Sequence, residues 1–268
     1  MYAFDYVKPE SLADAVAALA EEDAQAIAGG QTLIPTLKQR LAQPSKLVDL
    51  SAISEIQGIC EVADGPAAVA IGAGTTHGAV ASDPIVTARI PGLAALAARI
   101  GDPAVRNRGT IGGSLANNDP SACYPSAALG LGATLKTSAG RAIAADDYFQ
   151  GMFDTALDEG ELLTSIHFPV PEASAYEKFL QPASHFALVG VFVAKFASGV
   201  RVAVTGASNN GVFRWTEAEA ALSANFSPDA VAGLSIASDD MIGDIHGTPE
   251  YRAHLVGVMT KRAAAKAG

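Results

Sequence analysis

Three glycine-rich segments, each set between an apolar run and a helical stretch, are where this chain of 268 residues can bring its main chain close to an anion. The first is Ala28-Gly29-Gly30-Gln31-Thr32, continuing through Leu33 and Ile34. Glycine lets the backbone approach a phosphate, and the helix that follows offers unpaired N–H groups and a positive dipole end, so a pyrophosphate can be held there without a lysine. The same glycine pair also serves as a plain strand–helix turn, and both readings stand at this point. The second segment, Ile71-Gly72-Ala73-Gly74-Thr75-Thr76-His77-Gly78, has the spacing Gly-x-Gly-x-x-x-Gly. Ser82-Asp83-Pro84 then breaks the helix before a crossover is complete, which excludes a Rossmann fingerprint, and the absence of Gly-Lys-Ser/Thr excludes a P-loop. It reads as a turn into a short helix. The third runs from Arg106-Asn107-Arg108-Gly109-Thr110-Ile111-Gly112-Gly113-Ser114 to Asn117-Asn118-Asp119-Pro120. Successive N–H groups of its glycine turn are suited to an anion nest, with the Thr110 and Ser114 hydroxyls as further donors; a solvated loop is the alternative.

Other chemistries are excluded by what the chain lacks. Two cysteines, Cys60 and Cys123, lie far apart without a Cys-x-x-Cys pair, too few for an iron–sulfur cluster, a structural zinc or a disulfide framework. His77, His167, His185, His246 and His254 show no metal-ligand spacing and are expected on the surface or in ordinary hydrogen bonds. With 18 Lys and Arg against 28 Asp and Glu, the net charge of −10 leaves little basic surface for a nucleic acid. No run of about 18 apolar residues and no basic start followed by an apolar stretch occurs, which reads as a soluble, unsecreted, cytoplasmic protein without a membrane span. No nucleophile paired with a base is visible.

The elements that must position the glycine segments follow from periodicity. Ser11 and Asp14 form a capping-box pattern ahead of a helix over residues 11–21, followed by a strand at 24–28, a turn at Gly29-Gly30, a helix over 32–43 with Pro35 in its first turn, and a strand at 46–50. This is a small β-α-β unit. From about residue 59 short apolar strands (67–71, 133–137, 162–168) alternate with helical segments such as 92–100, a second α+β lobe ended by Pro169 and Pro171. Beyond residue 170 come a strand at 176–179, a hairpin formed by 187–195 and 199–207, and helices at 218–222, 228–234 and 250–267. The Val- and Phe-rich hairpin reads either as a buried sheet or as an exposed surface for partners.

Taken in order along the chain, these motifs resemble one family. Phe4-Asp5-Tyr6-Val7-Lys8-Pro9, Ala28-Gly29-Gly30-Gln31-Thr32-Leu33-Ile34-Pro35, Ile71-Gly72-Ala73 with Thr75-Thr76-His77, Arg106 to Ser114, Tyr176-Glu177-Lys178-Phe179, and Asp244-Ile245-His246 with Tyr251-Arg252 are similar to the FAD-binding middle subunits of molybdenum hydroxylases. That group includes carbon monoxide dehydrogenase, nicotine dehydrogenase and the flavin domain of xanthine dehydrogenase. The resemblance implies an α+β architecture: a two-lobed FAD-binding fold of the vanillyl-alcohol-oxidase type (PCMH-type) over residues 1–170, with lobes of about 1–58 and 59–170, and a small α+β C-terminal domain over 171–268, strands then helices. FAD is expected between the lobes. The matching positions are Ile27, Ala28, Gly29, Gly30, Gln31, Thr32, Leu33, Ile34, Ile100, Thr110, Ile111, Gly112, Gly113, Ser114, Leu163 and Lys178.

Cys123 departs from the resemblance, standing where the family usually carries Asp or Glu; either Asp119 compensates or FAD affinity is lower, and Cys123 also reads as a small apolar filler. Lys178 either faces the flavin and favours its reduced form by charge attraction or is a solvated surface group. The implied activity is electron transfer: a large molybdenum-cofactor subunit oxidises substrate, a small subunit with two 2Fe–2S clusters passes electrons on, and FAD on this chain releases them to a quinone, oxygen or NAD+. A heterotrimer or its dimer is expected. A self-sufficient FAD oxidoreductase of the same fold and a scaffold that has lost its flavin are the alternatives.

Overall fold

A computed structural model describes residues 1–63 and 67–268 of the chain. Its N-terminal part is a three-stranded parallel sheet in which Lys46–Asp49 lies between Asp5–Val7 and Ala24–Ile27. The helix Leu12–Leu19 begins at Ser11, whose hydroxyl accepts from the Asp14 amide at 3.1 Å, and its buried Ala15 and Leu19 pack with Val48, Leu50, Ile53 and Ile56. The helix after the glycine turn is only Leu33–Lys38, shorter than the periodicity suggests. Arg40 just beyond it has a positive φ of 61°, and Pro44 follows, so the chain leaves the helix early.

Next comes a five-stranded antiparallel sheet in the order Ile59–Glu61, Ala68–Gly72, Leu163–Pro169, Thr134–Thr137, Ala142–Ala144. Short helices cover it, and three of them, Pro84–Arg89, Pro91–Ala98 and Pro103–Arg106, start on proline, whose missing N–H costs nothing at that position. Asp83 and Asp102 cap two of these. The helix Tyr124–Leu131 is buried at every position and was not visible in the periodicity.

The four-stranded antiparallel sheet Ala173–Leu180, Ala187–Phe196, Gly199–Ser208, Gly211–Arg214 has both faces covered. Alternate side chains divide between the faces: Tyr176, Phe192 and Ala194 join the core of the preceding lobe, whereas Val189, Val191, Val193, Val202 and Val204 pack with the helices Thr216–Ala224 and Pro249–Ala267. The hairpin is therefore a buried sheet, and its Val and Phe residues are core rather than a partner surface. The stretch expected as a helix at 228–234 is a single 3-10 turn, Pro228–Val231. No helix among the described residues is long and apolar enough to cross a membrane.

Phe192 is fully buried and sits across the join: a Cβ added at Gly130 would lie 3.1 Å from its ring. Phe192→Ala is expected to cost about 3–5 kcal/mol and to lower the melting of the five-stranded and four-stranded sheets together, as read by denaturant titration followed with tryptophan fluorescence and far-UV circular dichroism.

Candidate functional site

At the end of the strand Ala24–Ile27 the chain turns through Gly29 and Gly30, the latter with φ +69°, and enters the helix Leu33–Lys38. Ile34 N–H donates to the Gly30 carbonyl at 3.0 Å, closing the turn. The amides of Gly29, Gly30, Gln31, Thr32 and Leu33 make no hydrogen bond among the described residues, and Thr32 gives no side-chain cap. Five consecutive donors at a partly exposed turn require an acceptor from outside, water or an anion.

The third glycine segment crosses directly over this turn. A Cβ at Gly29 would stand 2.2 Å from the Arg108 carbonyl and 2.6 Å from the Gly109 Cα, so the two backbones touch with no room for a side chain. At Gly113 an added Cβ would point into the crease between the bends, 2.9 Å from Thr110 Oγ1 and 3.9 Å from the Ala28 Cβ. The second segment lies behind. Gly112 fits against Ala73, 2.5 Å from Cβ to Cβ if it carried one, and Gly109 against His77. That contact is a ladder: Gly112 N–H donates to Ala73 O at 2.8 Å, Ile111 N–H to Thr75 O at 3.0 Å, and His77 N–H to Gly109 O at 2.9 Å.

This ladder corrects the expected anion nest. The amides of Ile111 and Gly112 are engaged by the second segment, and that of Gly113 by the Thr110 hydroxyl at 3.1 Å, which caps the helix Ile111–Asn117. The third segment thus provides a rigid floor and hydroxyls. The Ser114 hydroxyl makes no hydrogen bond among the described residues, and Thr110, while accepting from Gly113, keeps its own proton to donate. Of the two arginines leading in, Arg106 holds the Ile100 and Gly101 carbonyls, both at 3.0 Å, while the exposed Arg108 guanidinium has no partner among the described residues.

Past the helix the loop bends at Asn118, in the left-handed region with φ 43°. Its buried amide donates to the Gly151 and Asp154 carbonyls at 2.7 and 2.8 Å and so ties the hairpin Phe149–Gly151 and Asp154–Thr155 to the loop. Sequence reading passed over it as one of several polar residues, although Asn directly after a helix is the residue that accepts this conformation. Asp119 makes an Asx turn to the Ser121 amide at 2.8 Å.

Cys123 is buried, and its Sγ accepts from Lys178 at 3.5 Å, so it is a polar partner as well as a filler. Lys178 is 5% exposed, which removes the solvated alternative; its ammonium also donates to the Arg99 and His185 carbonyls, both at 2.7 Å. Arg99 in turn holds the Lys178 carbonyl at 3.1 Å and Glu177 at 3.1 Å. Ile100, next to Arg99, is half-buried against the same core, and Leu163 is buried there at the start of its strand, where the Thr164 carbonyl accepts from Ala73 N at 2.9 Å. The glycine crossing thus connects through Arg106, Ile100 and Arg99 to Lys178 and Cys123.

His77 departs from the expectation for histidines. It is buried against Tyr124, ring centroids 5.3 Å apart, with Nδ1 unpartnered, and burial together with nearby Arg106 lowers its pKa to about 4. His167 contacts Ser165 Oγ at 3.1 Å, and His185, His246 and His254 are exposed, as expected. Among the described residues no cluster of His, Cys, Asp and Glu is fit to hold a metal ion.

Residues 2–171 match the family model of the FAD binding domain in molybdopterin dehydrogenase. The chain belongs to this flavoprotein family. It is 37% identical to the carbon monoxide dehydrogenase medium chain of Afipia carboxidovorans, with 98% of this chain and 96% of that protein aligned. It is 35% identical to the nicotine 6-hydroxylase medium subunit of Paenarthrobacter nicotinovorans, over 99% and 98% of the two. Among solved structures, a chain of quinoline 2-oxidoreductase from Pseudomonas putida 86 superposes with a TM-score of 0.88 at 32% identity, covering 99% of this chain and 97% of that one. The expected fold class holds. As a member of this family the chain is the FAD-carrying electron-transfer subunit of a heteromeric molybdenum hydroxylase, with molybdenum and iron–sulfur cofactors on other subunits. The residues present fit that cofactor: the free amides of Gly29 to Leu33 and the crease at Gly113 suit an extended diphosphate.

Gly29→Ala drives its methyl into backbone and is expected to part the two bends, lowering both the melting temperature and the bound flavin measured by absorbance. Gly151→Ala, where an added Cβ meets nothing within 4 Å, is expected to change neither. Between pH 6.5 and about 4 the unfolded chain protonates His77 and the folded chain does not, so stability falls as pH drops through this window, by about 3 kcal/mol in full. His167, lowered by partial burial and by Lys136, adds in the same direction. His77→Gln is expected to flatten most of that slope in denaturation midpoints measured against pH.

Proposed function

We propose that the diphosphate of FAD lies on the main-chain amides of residues 29–33, flanked by Ile27, Ala28 and Ile34, with Thr110 to Ser114 as its floor and the Thr110 and Ser114 hydroxyls and Arg108 as further donors. Ile100, Asp119, Cys123, Leu163 and Lys178 complete the cofactor site toward the redox-active ring. The observation that carries this reading is the run of unpartnered amides at a glycine turn pressed against a second, rigid glycine turn. Fixed amide dipoles suit a group whose charge stays constant through turnover. When bound, FAD accepts electrons singly from a cluster and releases them singly or in pairs. The chain's own residues bind it, orient it and set the potential around it.

The same reading assigns residues 1–58 and 59–170 to the two lobes that grip the cofactor and 171–268 to a C-terminal unit whose strand Ala173–Leu180 delivers Lys178. It places the chain in a cytoplasmic heterotrimer, or its dimer, with a large molybdenum subunit and a small subunit carrying 2Fe–2S clusters. Electrons enter from that small subunit and leave to a quinone, oxygen or NAD+. No acid–base pair for substrate chemistry accompanies the site among the described residues, which favours this role over a self-sufficient oxidoreductase.

The purified complex is expected to carry one FAD per copy of this chain and to lose its yellow absorbance when the complex's substrate is added anaerobically. The chain alone, loaded with FAD, is expected to keep its colour under the same treatment. Bleaching of the isolated chain would overturn the electron-transfer assignment in favour of the self-sufficient enzyme.

A further inference from the structure

The Lys178 ammonium is buried, with no carboxylate among the described residues bonded to it. Its three N–H bonds go to the carbonyls of Arg99 and His185 and to the sulfur of Cys123, none of them a carboxylate. The adjacent acid is turned elsewhere: Glu177 pairs with Arg99 at 3.1 Å and Lys266 at 2.8 Å. The remaining polar neighbours add no negative charge. Tyr124 and Tyr176 are fully buried, their hydroxyls without a partner among the described residues, and burial holds both phenols protonated. A lysine this buried ordinarily sits against an acid. Carbonyl dipoles hold the ammonium in place but leave its net charge intact, and in a poorly screened interior that charge acts over a longer range than at the surface.

Cys123 decides this balance, since among the described residues it is the only side chain within hydrogen-bond distance of the ammonium. A carboxylate in its place would form a buried ion pair and cancel the field. We propose that Cys123 is a positioning residue that holds Lys178 while leaving its charge uncompensated, so that the full charge acts on the bound flavin and raises its reduction potential. This rests on the assignment of Lys178 to the cofactor site. A positive charge favours the more negative redox state, and the flavin gains negative charge on reduction.

The test is the flavin midpoint potential of the assembled, FAD-loaded complex, followed spectroelectrochemically in four variants. Cys123→Ser, a neutral acceptor, and Lys178→Arg, which keeps the charge, are expected to stay close to the parent. Cys123→Asp and Lys178→Met are each expected to cut the preference for reduced over oxidised flavin at least tenfold, a fall of about 30 mV for a two-electron couple. Should Cys123→Asp not assemble, Cys123→Glu carries the same charge. An unchanged potential in the carboxylate variant beside a fall in Lys178→Met would overturn the role of Cys123. A fall in Cys123→Ser equal to that in Cys123→Asp would reduce the effect to packing. An unchanged potential in Lys178→Met would show that the charge does not reach the flavin, and a parent complex without FAD would instead remove the underlying cofactor assignment.

Discussion

Gly29 and Gly109 meet backbone to backbone, and the rest of the site is arranged around that contact. Neither position admits a methyl group: on one side it would strike the Arg108 carbonyl, on the other the His77 ring. Three segments far apart in sequence stack as layers, the turn at 28–33, the bend at 109–114 and the ladder at 72–78. Close approach of main chains is affordable only without Cβ atoms, so the glycines are fixed by packing as much as by any ligand. The layered arrangement also joins the parallel N-terminal sheet to the antiparallel middle sheet at the point where an anion would be gripped.

The layers divide their work because each backbone donor has one use. The middle bend gives its amides to the ladder behind it and becomes rigid; the outer turn, with no ladder partner, keeps its amides for a ligand. Had the middle bend kept its own amides free, the helix Ile111–Asn117 would have lost the bonds that fix its first turn against Ala73 and Thr75. A preorganised floor beneath a donor-rich turn reduces the ordering that binding must impose.

The legible parts of this molecule were those where a local rule coincides with the tertiary role. The capped helix after Ser11, the glycine turns and the hairpin 187–207 were all recoverable because caps, positive-φ glycines and apolar runs are local properties. The helix Tyr124–Leu131 was not, since it is buried all round and contains Pro125 and Gly130, which removes both amphipathic period and helix propensity. The nest expected at Thr110 to Ser114 failed for a related reason: the amides of Ile111 and Gly112 are claimed by Thr75 and Ala73, a pairing no local pattern announces, and those of Gly113 and Ser114 by Thr110. Lys178 likewise stays open in the sequence between a flavin-facing and a solvated lysine, because its partners at Arg99 and Cys123 lie 79 and 55 residues away.

On the proposed placement of FAD the two ends of the site handle charge by different means, and the difference follows from what each end would face in turnover. A diphosphate carries the same charge before and after electron transfer, so neutral dipoles bind it without favouring either redox state. An isoalloxazine changes charge, so a full cation near it discriminates between states, which no arrangement of amides far away can match. In a chain of net charge −10 such a cation is easily quenched by a neighbouring acid. Bonding it to carbonyls and a cysteine sulfur keeps it buried without a bonded acid, at a desolvation cost that the two short carbonyl bonds offset in part. On the proposed assignment the site couples affinity to main-chain geometry and redox tuning to one side chain and its neighbour.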